Sequence, residues 1–476
     1  MIFSPLIALS PEPCETFMSK LAATPFPHSV KQLFRWLNQQ RWFLEKQLGQ
    51  QAFDTEAVHH CQAGKHPVWW LLIRTKSKQG TIYYQLPLAI ISKRPKQTKH
   101  VIAKLNGEST GYLVDAWQEP WFIAWLFSQW QSSTPPEFLE IWCDPKQRWK
   151  KVSTASIHEV DEGQSNQAFT LGNHYFLKVQ RRLVPGPSVD EEMCRELTQR
   201  GSNSTIPLLA SMQWKTVPLS SPMAQLSPAI EHIDNGWNWL MQQHEMPANT
   251  LELLGQRTAE LHQQLALPSD DDAFAPERVN RRQLKLRWTK RLKHTLTLLH
   301  EHTSPLAESF KKLAQQFLQQ GWNLPKECTT LAHRVHGDYH LGQVLRTKND
   351  WLIIDFEGEP LRPINERRAK DLPWRDVAGM VRSLEYLHAV LKKKRRRFPI
   401  EDARDAYLAG YSAIIDSESK EELLNWLPHY ELEKALYEIE YELRSRPDWL
   451  EIPLSAAVKL LQQLAPGESP GVVRAK

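Results

Sequence analysis

Cysteine is scarce and scattered: five residues, at positions 14, 61, 143, 194 and 328, with no CxxC pair. That pattern excludes a disulfide scaffold and a zinc ribbon and suits a reducing cytoplasm. Long apolar runs are missing too, and no window approaches the roughly 20 residues of a membrane helix. The opening MIFSPLIALSPEPCETF lacks a charged leading segment and a small-residue cleavage site, so it reads as mature protein and not as a signal peptide. No charge dominates. Against 59 Lys and Arg stand 54 Asp and Glu, and the net +5 is too small to imply a nucleic-acid partner. Nothing repeats at the period of a solenoid. There is also no glycine-rich phosphate loop of the P-loop type, because EGQSNQAFTLG (162–172) is not rich in glycine.

What is present is enough apolar residue, 41%, for a real core, and 476 residues, which suggests two to four domains or lobes. The 19 Trp residues can stack on sugar rings but mostly serve packing, so their number decides nothing. One basic cluster, LKKKRRRF (391–398), reads as a solvated helix end, with a phosphate-binding patch as the alternative.

The spacing predicts a helix over 30–48, strands over 67–74 and 81–92, a charged joining segment at 94–108 and a helix over 121–133. Three strands separated by turns follow between about 150 and 182. Next comes the helix VDEEMCRELTQRG, with Ser188 and Gly201 as caps. From about 236 the pattern is mostly helical. It includes NTLELLGQRTAELHQQLA, capped by Asn249, then PERVNRRQLKLRWTKRLKHTLTLLHEH. HYELEKALYEIEYELRSR, stopped by Pro447, is the last well-marked helix. A β-rich module before a helical one, with the two acidic motifs HGD and IIDFEGE in the one small β patch of the helical part, suits an α+β, two-lobed phosphotransferase with nucleotide between the lobes. The expected divisions are 1–92, a β-rich 93–235 and a helical 236–476.

The chemistry concentrates in HGDYHLGQVL and IIDFEGE. Asp338 and Gln343 are five apart, and Asp355 follows Asp338 by seventeen, at the end of the apolar run WLII. Protein kinases space a catalytic Asp, a metal-binding amide and a metal-binding Asp in this way. Moving a γ-phosphoryl group requires one carboxylate to position and deprotonate the attacking hydroxyl. It also requires hard oxygen ligands to hold Mg²⁺ on the phosphates. Asp338 fits the first role, and Asp355 with Gln343 fits the second. His336, Asp338 and His340 at alternate positions offer a transition-metal reading. The competing reading of His336 is a backbone hydrogen bond that shapes the loop. Upstream, Lys178 in the FLKV strand is placed to reach the α- and β-phosphates, with Glu192 as its ion-pair partner. Ser165 and Asn166 are candidates to cradle phosphate.

The run HGDYHLGQVL with IIDFEGEPLRPINERRAKDLPWRDVAGMVRSLEY resembles the maltokinases, which are aminoglycoside-phosphotransferase-like kinases. LGQRTAELHQQLA, LEKALYEIEYELRSRPDWLEIPL, RWFLEK and YQLPLAI extend the resemblance over nearly the whole chain. It departs in the cap, where RWFLEKQLG replaces a glycine-containing run, and in the hinge IEHIDNGWNWL. The resemblance implies a protein-kinase-like fold, with an N-terminal cap at 1–92, an N-lobe with an intermediate subdomain at 93–235 and a C-lobe at 236–476. It implies ATP- and Mg²⁺-dependent phosphorylation of the anomeric hydroxyl of maltose, giving maltose 1-phosphate for α-glucan (glycogen) synthesis, with trehalose synthase as a possible partner. By position it makes Asp338 the catalytic base, Gln343 and Asp355 the metal ligands, Lys178 and Glu192 the nucleotide-side pair, and Ser165 and Asn166 the phosphate loop.

For the sugar, Lys434, Tyr437, Glu438 and Tyr441 share one helix face, and His340 and Glu357 lie near the chemistry in sequence. Core packing of that helix is the alternative. Arg375, Asp376, Glu357 and Glu359 read equally well as structural braces. A kinase of the same fold acting on another sugar such as glucosamine, and a non-catalytic partner of a trehalose or glucan enzyme, are the rival readings.

Overall fold

The strands at 66–91 are built from β-branched and aromatic residues that are apolar on both faces, and both faces are buried. In the computed structural model, which describes residues 24, 29–49, 52–77, 80–95, 100–106, 110–160, 167–215, 222–326 and 328–465, alternate side chains enter two cores. Val68, Trp70 and Leu72 pack with Trp117, Phe122 and Leu126. Leu71 and Ile73 pack instead with Leu33, Phe34 and Leu37 of the first helix. This is the period-two alternation of a strand covered on both sides.

The chain divides into two compact units, Met1–Glu191 with Pro207–Ile230 and Glu192–Ile206 with Glu231–Lys476. In the first, α1 (Val30–Leu37) precedes β1 (Phe53–Ala63), β2 (His66–Ser77), β3 (Gly80–Ile91), β4 (Val101–Leu105) and β5 (Gly111–Asp115). These strands form an antiparallel sheet in the order β1-β2-β3-β5-β4. Then come α2 (Pro120–Gln129), β6 (Leu139–Cys143), β7 (Ile157–Val160), β8 (Gln167–Leu171), β9 (Tyr175–Val179) and β10 (Arg182–Leu183), which pairs with β3. α3 (Val189–Gln199) spans the division between the units. It is capped by Ser188, whose Oγ accepts the Glu191 amide at 3.2 Å, and is followed by Gly201 at φ +72°. β11 (Ala210–Trp214) and β12 (Ala224–Pro228) complete a second sheet, β6-β11-β12-β9-β8-β7.

Two expectations change here. The first helix ends at Leu37 and does not run to 48. Trp42 and Phe43 leave the helical path to pack on the Tyr84 ring, with centroids 6.0 and 4.9 Å away. Tertiary burial of aromatic surface outweighs local periodicity. The division expected at 92/93 falls inside a sheet, since β3 pairs with β5 through Leu88↔Asp115 to Ile91↔Tyr112. A buried Arg181–Asp115 pair at 2.7 Å ties β5 to the segment after β9.

The second unit holds β13 (Asp234–Asn235), α4 (Gly236–Gln242), α5 (Ala248–Leu265), α6 (Arg281–Leu298) and α7 (Pro305–Gln320). A short antiparallel sheet, β13-β14-β15, is completed by β14 (Val344–Arg346) and β15 (Trp351–Ile353). Then follow α8 (Ile364–Arg367), α9 (Trp374–Lys393), α10 (Ile400–Ile414), α11 (Ser417–Ser445) and α12 (Glu451–Gln463). Pro247, not Asn249, occupies the N-cap position of α5, so Asn249 lies inside the first turn. Asn280 caps α6, accepting the Gln283 amide at 3.1 Å.

α5 and α10 meet at two glycines. A Cβ on Gly410 would lie 1.9 Å from the Glu252 carbonyl oxygen, and one on Gly255 would lie 2.1 Å from that of Tyr407. α11 is longer than 429–446 and carries Pro428 within it, and α12 follows Pro447, so the helix halted there is not the last. The basic run closes α9 at a left-handed Arg395 (φ +56°), and Arg396 donates to the carbonyls of Met241 and Gln243. Among the described residues no helix is long and apolar enough to cross a membrane.

Candidate active site

The loop His336–Gly337–Asp338 is held from beneath by a buried carboxylate at the start of α9. Asp376 accepts the amide N–H of His336 at 2.7 Å and that of Gly337 at 2.9 Å. Its Oδ2 also lies 3.2 Å from His262 Nε2, and His262 Nδ1 is 2.8 Å from the Tyr411 hydroxyl. Burial alone would raise the Asp376 pKa, but the His262 hydrogen bond and the loop amides outweigh it and bring it down to about 2. Gly337, at φ +81°, supplies a turn that other residues rarely adopt. Gly379 lets α9 approach the loop, because a Cβ there would be 2.5 Å from the Tyr339 carbonyl oxygen.

His336 donates from Nε2 to the Ile354 carbonyl at 2.9 Å, and its Nδ1 accepts the Asp338 amide at 3.3 Å. His340 Nδ1 accepts the Gly342 amide at 3.0 Å. Both nitrogens of the first ring and one of the second are thus spent on backbone. Among the described residues no group of three or more His, Cys, Asp or Glu side chains is arranged to hold a metal. The transition-metal reading of HGDYH is therefore set aside, and the loop-shaping reading of His336 describes what that ring does. Burial lowers the His340 pKa, keeping its ring neutral.

The β14–β15 hairpin carries Gln343 at one end and Asp355 at the other. The Ile354 amide donates to the Gln343 carbonyl at 3.0 Å. The Gln343 side chain donates from Nε2 to Asp355 Oδ2 at 2.9 Å. Asp355 sits at φ +67°, a left-handed conformation that Asp tolerates better than bulky residues and that clusters at functional sites. The Asp355 carboxylate and the amide oxygen of Gln343 are donors of the kind that suits a hard cation such as Mg²⁺, with the amide here turned to present its nitrogen to Asp355.

Asp338 ends a chain of buried charges. Lys434 Nζ, from α11, lies 3.0 Å from Asp338 Oδ1 and 2.8 Å from Glu359 Oε1. Glu359, 1% exposed, also meets Arg362 and, at 3.3 Å, Arg375. Arg375 donates to the Gly337 carbonyl at 3.2 Å, and Arg362 reaches Glu433 at 2.6 Å. Burial pulls the Lys434 pKa down, but Glu359 and Asp338 more than offset it and hold the ammonium above its ordinary range. Glu359 is likewise ionised despite burial, because Arg362, Lys434 and Arg375 surround it.

The other sequence-chosen residues divide. Lys434 stands beside Asp338, with Tyr437 under its ammonium at 5.0 Å and Tyr441 stacked on Tyr437 at 6.4 Å between centroids. Glu438 is buried against Arg382 at 2.8 Å, so that carboxylate serves the core. Glu357 is exposed, and its carbonyl accepts Arg367 at 3.2 Å.

In the first unit, Lys178 on β9 lies 3.7 Å from Asp190. The expected Lys178–Glu192 pair is corrected accordingly. Glu192 goes to Arg368 at 2.7 Å and to Arg334 at 3.4 Å. Residues two apart on a helix point roughly 200° away from each other, so Asp190 and Glu192 cannot share a partner. Ser165 and Asn166 lie outside the described residues. Sequence reasoning overlooked Asp190, although the acidic run DEE pointed at it, and overlooked Arg362 and His262, which no local pattern marks.

Residues 36–118 match the maltokinase N-terminal cap domain. Over 270 residues the chain is 25% identical to a glucosamine kinase of Streptacidiphilus jiangxiensis, covering 52% of this chain and 58% of that one. Over 137 residues it is 33% identical to a glucosamine kinase of Mycolicibacterium smegmatis, covering 27% and 34%. The chain thus spans less than two thirds of the curated relatives it matches. A solved glucosamine kinase in complex with glucosamine, ADP and inorganic phosphate has the same fold, with a TM-score of 0.59, 16% identity, and coverage of 86% of this chain and 94% of that one. A second crystal form of a glucosamine kinase gives a TM-score of 0.60. The expected protein-kinase-like architecture, β-rich before helical and with an N-terminal cap, is borne out. The chain therefore carries a segment similar to the maltokinase cap domain on a fold shared with solved glucosamine kinases.

Proposed function

We propose that this protein transfers the γ-phosphoryl group of ATP to a sugar hydroxyl, with the anomeric hydroxyl of maltose as acceptor and maltose 1-phosphate as product. The observation that carries phosphoryl transfer is the meeting of Gln343 and Asp355, 2.9 Å apart, on the hairpin that follows the Asp338 loop. The cap domain at 36–118 supports maltose.

In this reading the sugar oxygen bonds to the γ-phosphorus while the bond to the β–γ bridging oxygen breaks. The hydroxyl proton passes to the Asp338 carboxylate, and ADP leaves. Bound Mg²⁺ would neutralise the phosphate oxygens, and Asp355 with Gln343 would hold it. Lys434 keeps Asp338 oriented, and Lys178, braced by Asp190, would take the nucleotide phosphates. Ser165 and Asn166 remain candidates for the phosphate loop. A cytoplasmic setting, a role in α-glucan synthesis and association with trehalose synthase belong to the same proposal.

The second reading is a glucosamine kinase, favoured by the relatives at 25% and 33% identity. The two separate in an assay of ADP release with maltose and with glucosamine, the product being read by ³¹P NMR. Turnover of maltose to an anomeric phosphate supports the first. Turnover of glucosamine alone replaces it with the second. A non-catalytic role is answered by the same assay if neither sugar, nor any other in a panel, is turned over.

A further inference from the structure

A cleft of about 620 Å³ opens wholly within the second unit. Its walls are the turn at 272–280, the start of α6 and the segment 365–371, and Asp338 does not line it. Arg334 forms part of the wall. Its side chain is 1% exposed, yet its Nε and Nη2 have no hydrogen-bond partner among the described residues. Nη1 has one long bond, 3.4 Å, to Glu192. That carboxylate gives its shorter bonds, 2.7 and 3.0 Å, to Arg368, which also lines the cleft. Two guanidinium groups therefore share one carboxylate, and the more deeply buried of them is the less satisfied. Burial lowers the Arg334 pKa accordingly. A buried donor left unmade is costly, and a guanidinium fork matches an oxyanion better than any other acceptor.

The rest of the wall differs in character. The amides of Gln283 and Asn365 offer donors and acceptors suited to hydroxyl groups, beside two ion pairs, Glu277–Lys370 at 3.0 Å and Arg287–Asp371 at 2.5 Å, and the Glu366 carboxylate. The cleft is also too large for inorganic phosphate alone and falls within the range of small-molecule sites. We propose that this cleft binds a phosphorylated sugar, with the phosphate on Arg334 and Arg368 and the hydroxyls on the amide and carboxylate wall. Binding here does not require the proposed transfer reaction, although that reaction makes a compound of this class.

The test is calorimetric titration of the full-length, nucleotide-free protein with glucose 1-phosphate, glucose and inorganic phosphate. Glucose 1-phosphate is expected to bind at least about tenfold more tightly than phosphate, with glucose weaker than either. Arg334→Met and Gln283→Leu should each weaken glucose 1-phosphate by about tenfold, while Asp338→Asn leaves it within about twofold. Should Arg334→Met fail to fold, Arg368→Gln and Gln283→Leu alter the more accessible wall and carry the same expectation. Unchanged affinity in the cleft variants, or affinity lost in Asp338→Asn, would overturn the site. Equal affinity for phosphate and glucose 1-phosphate would overturn the sugar half. The kinase assay reads the transfer reaction separately: absent turnover with retained glucose 1-phosphate binding removes the proposed function and leaves the cleft.

Discussion

Replacing Lys434 with Met separates two roles for the same side chain. In the first, Lys434 is a sugar ligand, as its place on the helix face with Tyr437 and Tyr441 suggests. In the second, it positions Asp338, as its bonds of 3.0 Å to Asp338 and 2.8 Å to Glu359 indicate. Removing one member of a buried ion pair costs about 3–5 kcal/mol. Lys434 and Asp338 retain 12% and 19% exposure, which favours the low end of that range, about 3 kcal/mol. For a unit of this size that corresponds to a fall in Tm of roughly 6–12 °C.

Kinetics decide the role. A freed Asp338 loses its orientation, so kcat should fall by about 10²-fold while KM for the sugar stays within about twofold. Lys434→Arg should recover part of kcat. The pH dependence has a definite sign. The folded-state pKa of Lys434 is raised above 10.5, so its stabilisation is complete below that value and is lost only as pH rises through the folded pKa. The wild-type minus K434M stability difference should therefore be flat across neutral pH. A sugar KM raised tenfold or more with kcat intact would refute the positioning role and restore the ligand role.

Four further outcomes are expected. Asp338→Asn should lower kcat by about 10²–10⁴-fold while ATP affinity, read by titration, is kept. Gln343→Leu removes one oxygen donor, so the Mg²⁺ concentration giving half-maximal rate should rise several-fold, and EDTA should abolish turnover of the wild type. Gly410→Ala drives a methyl group to 1.9 Å from the Glu252 carbonyl, and urea unfolding should show a loss of about 1–3 kcal/mol or more. Asp376, depressed from 3.8 to about 2, stabilises the fold above pH 3.8 and loses that contribution as pH falls toward 2. The contribution is roughly 2 kcal/mol, so Asp376→Asn should flatten the acid limb of the stability profile.

The elements to which the proposed chemistry is assigned could be placed from sequence because their signals are local. The Asp338 loop runs directly into one hairpin, whose ends carry Gln343 and Asp355 and bring those two together. The caps Ser188 and Gly201 were legible for the same reason. Where the reading erred, long-range packing outweighed a local pattern. Helix periodicity continues past Leu37, but Trp42 and Phe43 gain more by covering Tyr84. Asn249 is a good cap residue, yet Pro247 occupies that position.

Several residues that support Asp338 were singled out from sequence, but their pairings were not legible, and the reason is physical. Lys434 lies 96 residues from Asp338, Glu433 lies 71 from Arg362, and His262 lies 114 from Asp376. Such pairs follow no helical or strand spacing, since only the packing of α5, α9 and α11 determines them. The sequence singles out Lys434, Glu359 and Arg375 near the site but not Arg362, Glu433 or His262, and marks none of them as buried, because Lys, Glu and Arg are rarely so. Burial reverses that expectation only when every charge finds a partner, and the series Asp338–Lys434–Glu359–Arg362–Glu433 does so in sequence. A buried chain of this kind adds little net stability compared with an apolar core. What it supplies is a single orientation for the carboxylate at its end, which a proton acceptor in phosphoryl transfer requires. In the proposed function, the helix face assigned to the sugar also carries the ammonium that holds Asp338 in place.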